Sequence, residues 1–176
     1  MTHLTKAVLL IAALAVSACT NPNRFGDGDG GAGAGAGAGT GIDSGYLPGS
    51  ASDPTSAAYF QQSIGDRVFF AVDQSTLSPE ARATLDQQAQ WLMTNSDYLA
   101  VIEGHADEQG TREYNIALGA RRANAVMEYL TSRGIPSSRL KFISYGKERP
   151  VEVCSVESCY AKNRRAVTVI SMGIGS

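Results

Sequence analysis

Eleven of the 24 residues from Gly26 to Gly49 are glycine, and glycine alternates with alanine from Gly31 to Gly39. A stretch of that composition cannot bury enough side-chain surface to offset its conformational entropy, so it is expected to behave as a disordered tether. The tract divides the chain. The residues ahead of it are too few for a domain, and whatever packs a core must come from the residues after it. At 176 residues the chain then has room for one domain of ordinary size, assigned to residues 56–176, preceded by a tether over residues 19–55. About 34 disordered residues from Asn21 have a root-mean-square span near ~32 Å and a fully extended reach of roughly 115 Å. So short a tract argues against a silk-like sheet.

Ahead of the tether, Lys6 precedes an apolar run of 12 residues, Ala7 to Ala18. That is shorter than the ~20 residues a membrane-spanning helix requires, so residues 1–18 read as a secretory signal peptide. Val16-Ser17-Ala18-Cys19 resembles a bacterial lipobox, in which cleavage exposes Cys19 for acylation. Thr20 in place of Asp then implies export to the outer membrane, lipid-anchored on its periplasmic face. Each buried CH₂ of an acyl chain is worth ~0.8 kcal/mol, so several chains on Cys19 hold outer-membrane lipid firmly. The full chain carries a formal charge of -2, and loss of the leader with Lys6 leaves 14 basic against 17 acidic side chains. That balance gives no reason to expect a nucleic-acid partner.

Beyond the tether, Ala57-Ala58-Tyr59-Phe60 fits either a helical turn or an extended lead-in. Arg67 to Asp73 reads as a strand by its aromatic and β-branched content. Ser78-Pro79-Glu80 opens a helix, with a hydroxyl cap, proline at the first position and an acid in the first turn. It should run to about Asn95, with Ala81, Leu85, Ala89 and Leu92 or Trp91 buried. Leu99 to Glu103 reads as a buried strand, which delivers His105 and Asp107 to a loop at its carboxyl end. Gly110 breaks the chain and Thr111 caps a second helix, in which Tyr114, Leu118, Ala125, Val126 and Tyr129 fall near helical spacing up to Gly134. Arg139 to Tyr145 and Ala166 to Met172 are the remaining strands. Strands alternating with helices predict an α+β, two-layer fold, with helices packed on a mixed four-stranded sheet around a βαβαβ core. The final strand can pair antiparallel.

Within this frame Asp107 and Arg122, 15 residues apart, form the candidate site. A free α-amino acid head carries an ammonium and a carboxylate close together, so its capture needs one anionic and one cationic side chain on a small hollow. At ~1.5 Å rise per residue, Arg122 lies about 16 Å along the helix from Thr111. Either its guanidinium reaches back or the Asp107 loop folds alongside the helix. Arg121 and Arg122 are neighbours about 100° apart on the helix, so only one of them can turn toward the sheet edge.

The run GHADEQGTREYNIALGARRANAVMEYL from Gly104, followed by Ser144-Tyr145-Gly146-Lys147-Glu148-Arg149-Pro150 and Asn163-Arg164-Arg165-Ala166-Val167, resembles the OmpA-like peptidoglycan-binding family, in its peptidoglycan-associated lipoprotein branch. The resemblance covers roughly Asp66 to Met172. It implies a layer of helices on a mixed sheet and, as ligand, the meso-diaminopimelate of the peptidoglycan stem peptide. Asp107 then holds the ammonium and Arg122 the carboxylate, which agrees with the charge argument. It also implies a place in the Tol-Pal system, with TolB as partner and a role in envelope integrity and cell division, or else service to another envelope machine. Phe70 to Asp73 resembles the family's Phe-x-Phe-Asp strand, whose loop lines the pocket, but Val72 stands where the second aromatic belongs. Contacts there fall to Phe70 and Ala71, tolerably if main-chain groups make them. Asn115 orders the loop before the helix or touches the ligand. Leu118 packs, with an edge toward the pocket.

Other chemistry is poorly supported. His105 with Asp107 and Glu108 falls short of the four ligands of a structural zinc, because the other histidine, His3, leaves with the leader. No metal or cofactor is expected. A wall-processing enzyme would need a nucleophile with a base or paired catalytic carboxylates, and this cluster offers neither. Asn163-Arg164-Arg165 is either a positive rim or a set of ion pairs around the last strand. Cys154 and Cys159, four residues between them, are expected to pair in an oxidising periplasm, a closure worth about 2 kcal/mol in the chain-entropy model. The alternative is a redox pair, for which nothing nearby lowers a thiol pKa.

Overall fold

Ser78 caps its helix as the sequence predicts, its side chain accepting from the Ala81 N–H, and α2 runs Pro79–Thr94 with both Trp91 and Leu92 buried. The computed structural model describes residues 47–173. The expectations for the signal peptide, for Cys19 and for most of the tether lie outside the described residues. The last tether residues do not stand apart from the domain: Trp91 Nε1 donates to Pro54 O at 2.7 Å and Tyr98 Oη to Thr55 O at 3.1 Å. A short helix α1, Ala57–Tyr59, continues through a π-helical turn at Phe60–Gly65.

The sheet is built from β1 (Arg67–Phe69), β2 (Tyr98–His105), β3 (Leu140–Gly146) and β4 (Arg165–Met172). Its order is β1-β4-β2-β3. Strands β2 and β3 are parallel, with Ile102 opposite Phe142, and β4 runs antiparallel to both β1 and β2, pairing Ala166 with Val68 and Thr168 with Ile102. The last strand therefore enters between the first two, and the crossover through α2 spans it.

One sheet face is covered. Val68, Ala100, Ile102, Ala166 and Ile170 pack with Leu85, Leu92, Val126 and Leu130 from α2 and α3 (Arg112–Ser132). Burial on that face explains the alternation along β4, where Val169 and Ser171 turn away from the helices. Gln88 sits in this core with its amide satisfied, donating to Gly65 O at 2.6 Å and accepting from Thr168 Oγ1 at 2.8 Å. A buried amide without those partners would be costly.

Helix α3 lies unusually close to β2. A Cβ on Gly104 would come within 1.9 Å of the Gly119 carbonyl oxygen, so only glycine admits this approach. It sets the helix against the carboxyl end of β2, one turn before Arg122. The buried stripe of α3 is Asn115, Leu118, Gly119, Arg122, Ala123, Val126 and Leu130. Tyr114, which helical spacing had placed with the apolar set, is 44% exposed.

The elements depart from expectation in three places, the first being that β2 keeps His105 as its last residue instead of ending at Glu103 and delivering it to the loop. Strand β1 ends at Phe69 rather than Asp73, because the next carbonyls leave the ladder and Asp73 adopts a left-handed backbone, φ 56°. A short helix α4, Glu157–Asn163, forms between β3 and β4, where the sequence shows no apolar period.

Candidate functional site

At the carboxyl end of β2 the chain turns through Ala106 to Gly110 and leaves a hollow of about 300 Å³. Asp107 and Gly110 from this loop, Tyr114, Asn115 and Leu118 from α3, and Asp73 across the gap line it. Of the residues singled out from sequence, Asp107, Asn115 and Leu118 come together on this wall. Phe70, Ala71 and Arg122 lie behind it.

Arg122 is fully buried. Its Nε donates to Gln74 O at 2.8 Å, Nη1 to His105 O at 2.8 Å and Nη2 to Ala71 O at 3.2 Å. The loop has folded alongside the helix, which answers the geometric question the sequence left open. These carbonyls are also why β1 is short, since the segment after Phe69 turns its oxygens toward the guanidinium. All three acceptors are neutral. Burial therefore pulls the Arg122 pKa down to about 10, opposed by the nearby carboxylate of Asp107. A guanidinium has five N–H groups and three are engaged among the described residues, so it remains a cation with donor capacity left and no bonded carboxylate. Its neighbour Arg121 is exposed, beside the Tyr114 ring.

Asp107 is 7% exposed. Its Oδ1 accepts from Gln109 N–H at 3.2 Å, which shapes the loop, and Oδ2 accepts from Arg164 Nη1 at 3.2 Å. Arg164 also donates Nε to Phe70 O at 3.1 Å and pairs with Glu157 through both terminal nitrogens. Hence Phe70 and Ala71 do not line the hollow. Their oxygens hold the two arginines, and the Phe70 ring stands 5.2 Å from the Arg122 guanidinium carbon.

Asn115 both orders the loop and faces the hollow. Its Nδ2 donates to Gln109 O at 2.6 Å, while its buried Oδ1 has no partner among the described residues. The outer edge is closed by Tyr114, whose hydroxyl donates to Asp73 Oδ1. Sequence reasoning missed this clasp, although Asp73 ends the recognised Phe-x-Phe-Asp-like stretch and Tyr114 follows the helix cap.

His105 shapes the site through its carbonyl rather than its ring. The imidazole is buried, stacked on Tyr145 at 5.6 Å between ring centres, and neither ring nitrogen has a hydrogen-bond partner among the described residues. Burial, then the charges of Arg165 and Arg149, lowers its pKa to about 4, so it is neutral at pH 7. Among the described residues, no group of three or more His, Cys, Asp or Glu side chains is placed to hold a metal.

Asn163, Arg164 and Arg165 are buried rather than forming a rim. Asn163 Nδ2 donates to Glu108 Oε1 at 2.6 Å, and its Oδ1 accepts from Val151 and Glu152 N–H, which ties the loop after β3 to the Asp107 loop. In the same loop Cys154 and Cys159 are joined, their Cα atoms 6.0 Å apart. Helix α4 starts between them at Glu157.

The sequence profile of the OmpA family matches residues 69–164. The chain is 51% identical to a peptidoglycan-associated lipoprotein of Mesorhizobium japonicum over 96% of its own length and 92% of the relative's. It is 47% identical to one from Brucella melitensis, over 94% and 90%. In three dimensions it resembles the crystal structure of the peptidoglycan-associated lipoprotein from Burkholderia pseudomallei, with TM-score 0.61, 36% identity, and coverage of 69% of this chain and 98% of that one.

Proposed function

The chain belongs to the OmpA family, among the peptidoglycan-associated lipoproteins, and from that premise we propose that it grips peptidoglycan without cleaving it, through the zwitterionic head of meso-diaminopimelate. The hollow supports this reading most directly, because an acid stands on its wall and a guanidinium with no carboxylate bonded to it lies behind it. Asp107 receives the ammonium. Arg122 supplies the charge that draws the carboxylate, and its two N–H groups without a partner among the described residues are the donors left for it. The Asn115 Oδ1 offers a further acceptor for the ammonium or a stem-peptide amide. Leu118 gives the aliphatic part of the ligand an apolar wall.

The same premise extends to the whole chain. Acylated Cys19 anchors it in the outer membrane, the glycine-rich segment spans toward the wall, and the domain holds it. TolB is its protein partner in the Tol-Pal system that serves envelope integrity and division. Co-sedimentation with purified peptidoglycan tests the site. Asp107→Asn, which keeps the shape and removes the charge, should leave most of the protein in the supernatant while its circular dichroism stays unchanged. Sedimentation equal to wild type would remove Asp107 from the site.

A further inference from the structure

Arg164 stands between two carboxylates and does not treat them alike. Its side chain is 5% exposed, that of Asp107 9% and that of Glu157 66%. Nη2 goes to Glu157 Oε1 and Nη1 is shared, 3.4 Å from Glu157 Oε2 and 3.2 Å from Asp107 Oδ2, so Glu157 engages both terminal nitrogens and Asp107 one, at the long end for a charged pair. The hydrogen bonds from Arg164 hold the Glu157 carboxyl below its usual range.

The local charges show what this division does. Around the hollow stand the cations Arg122, Arg164 and Lys147, the last donating to Gly110 O at 2.7 Å. Against them stand Asp73, Asp107, Glu108 and Glu157. Arg121 beside the Tyr114 ring adds a fourth cation, so the set balances with Glu157 present. Without Glu157 it turns net positive, and Arg164, freed of its forked partner, is positioned to turn both nitrogens onto Asp107. An internal guanidinium bonded that way competes with any cation from solution for the same carboxylate.

We propose that Glu157 is a specificity-determining residue for the ammonium end of the ligand: by occupying the fork of Arg164 it keeps Asp107 open to an incoming cation. This rests on the reading of Asp107 as the ammonium's partner. Glu157 is held by the loop that the Cys154–Cys159 bridge closes around it. It touches no ligand itself and acts through Arg164 as a positioning residue.

The test titrates the purified full chain with two muropeptides, one carrying the free amine of its diaminopimelate and one acetylated at that amine. Wild type should favour the free amine. Glu157→Gln should weaken binding of the free-amine form about tenfold, a loss within the reach of one charge-assisted pair, and leave the acetylated form unchanged or tighter. The free-amine preference thus collapses. A loss that falls equally on both ligands marks general damage and overturns the proposal, as does a preference that Glu157→Gln leaves intact. Asp107→Asn separates the two levels: if that variant keeps the preference, the underlying site reading fails, whereas loss there with retention in Glu157→Gln sinks only the role of Glu157.

Discussion

Arg122 is not alone in being held by main-chain oxygens, and comparison with the half-buried Arg139 shows what it adds. Arg139 donates to the carbonyls of Leu92, Asn95 and Tyr98 and pins the corner between α2 and β2. A carbonyl cradle is therefore not in itself a sign of a binding site. Arg122 differs in lying behind a hollow, with Asp107 acting on its charge. It is structural as well, so Arg122→Ala should do more than abolish binding. Three carbonyls lose their donor, and leaving buried acceptors unmet costs about 1–3 kcal/mol per group. Urea denaturation should show a loss of about 3 kcal/mol, and unchanged stability would mean those oxygens find water. His105 gives a second prediction at this scale. Its folded pKa of about 4 lies below the ordinary 6.5, so above pH 6.5 neither state binds the proton and the group has no effect. Below it the unfolded chain takes up a proton that the fold refuses. Stability should fall by about 3 kcal/mol between pH 6.5 and 4, and His105→Gln should flatten that slope. An imidazole NMR titration centred near pH 6.5 in the folded protein would contradict this.

At the scale of elements, the contact between Gly104 and Gly119 fixes where α3 lies and so where Arg122 points. Gly104→Ala drives a methyl group into a backbone oxygen and should destabilise the domain by about 3 kcal/mol. Binding of the wall should weaken with it; a variant that unfolds like wild type would show that the helix can slide. The strands and both long helices were legible because each carries its own period or cap, as with Ser78 and Thr111, whose side chains accept from Ala81 and Tyr114 N–H. The antiparallel entry of β4 was legible as an option only, since nothing local states which neighbours a strand will take. The early end of β1 and the presence of α4 were not legible. Each is set by a distant partner: the guanidinium of Arg122 draws away the carbonyls that would have extended β1, and α4 lies in the loop that Asn163 and the Cys154–Cys159 bridge hold together. For the same reason the sequence led to Asp107, Asn115 and Leu118 on the wall of the hollow, and to Arg164 as an ion-pair residue near the last strand, but not to its partners Asp107 and Glu157, which meet it through tertiary structure alone.

Across the whole described molecule the hollow and the entry of the chain lie at opposite ends of β2. The lead-in is bonded at the Tyr98 end, through Thr55 O, and Asp107 follows His105 at the other. Eight residues of strand at ~3.3 Å each separate them by about 23 Å. The domain thus presents its hollow away from the entering chain, which suits the proposed grip on a layer beyond the anchor. The proposed acyl anchor is testable: Cys19→Ser should release the protein into the soluble fraction, and its recovery with membranes would argue against acylation as the attachment. The central claim is that one zwitterion is held at both its poles. It is tested most directly by titrating the protein with a diaminopimelate muropeptide and with its lysine counterpart, which keeps the amine and lacks the carboxylate. The account predicts at least about tenfold tighter binding of the first, a carboxylate held by a buried guanidinium being worth about 1.5–3 kcal/mol. Equal affinities would contradict it.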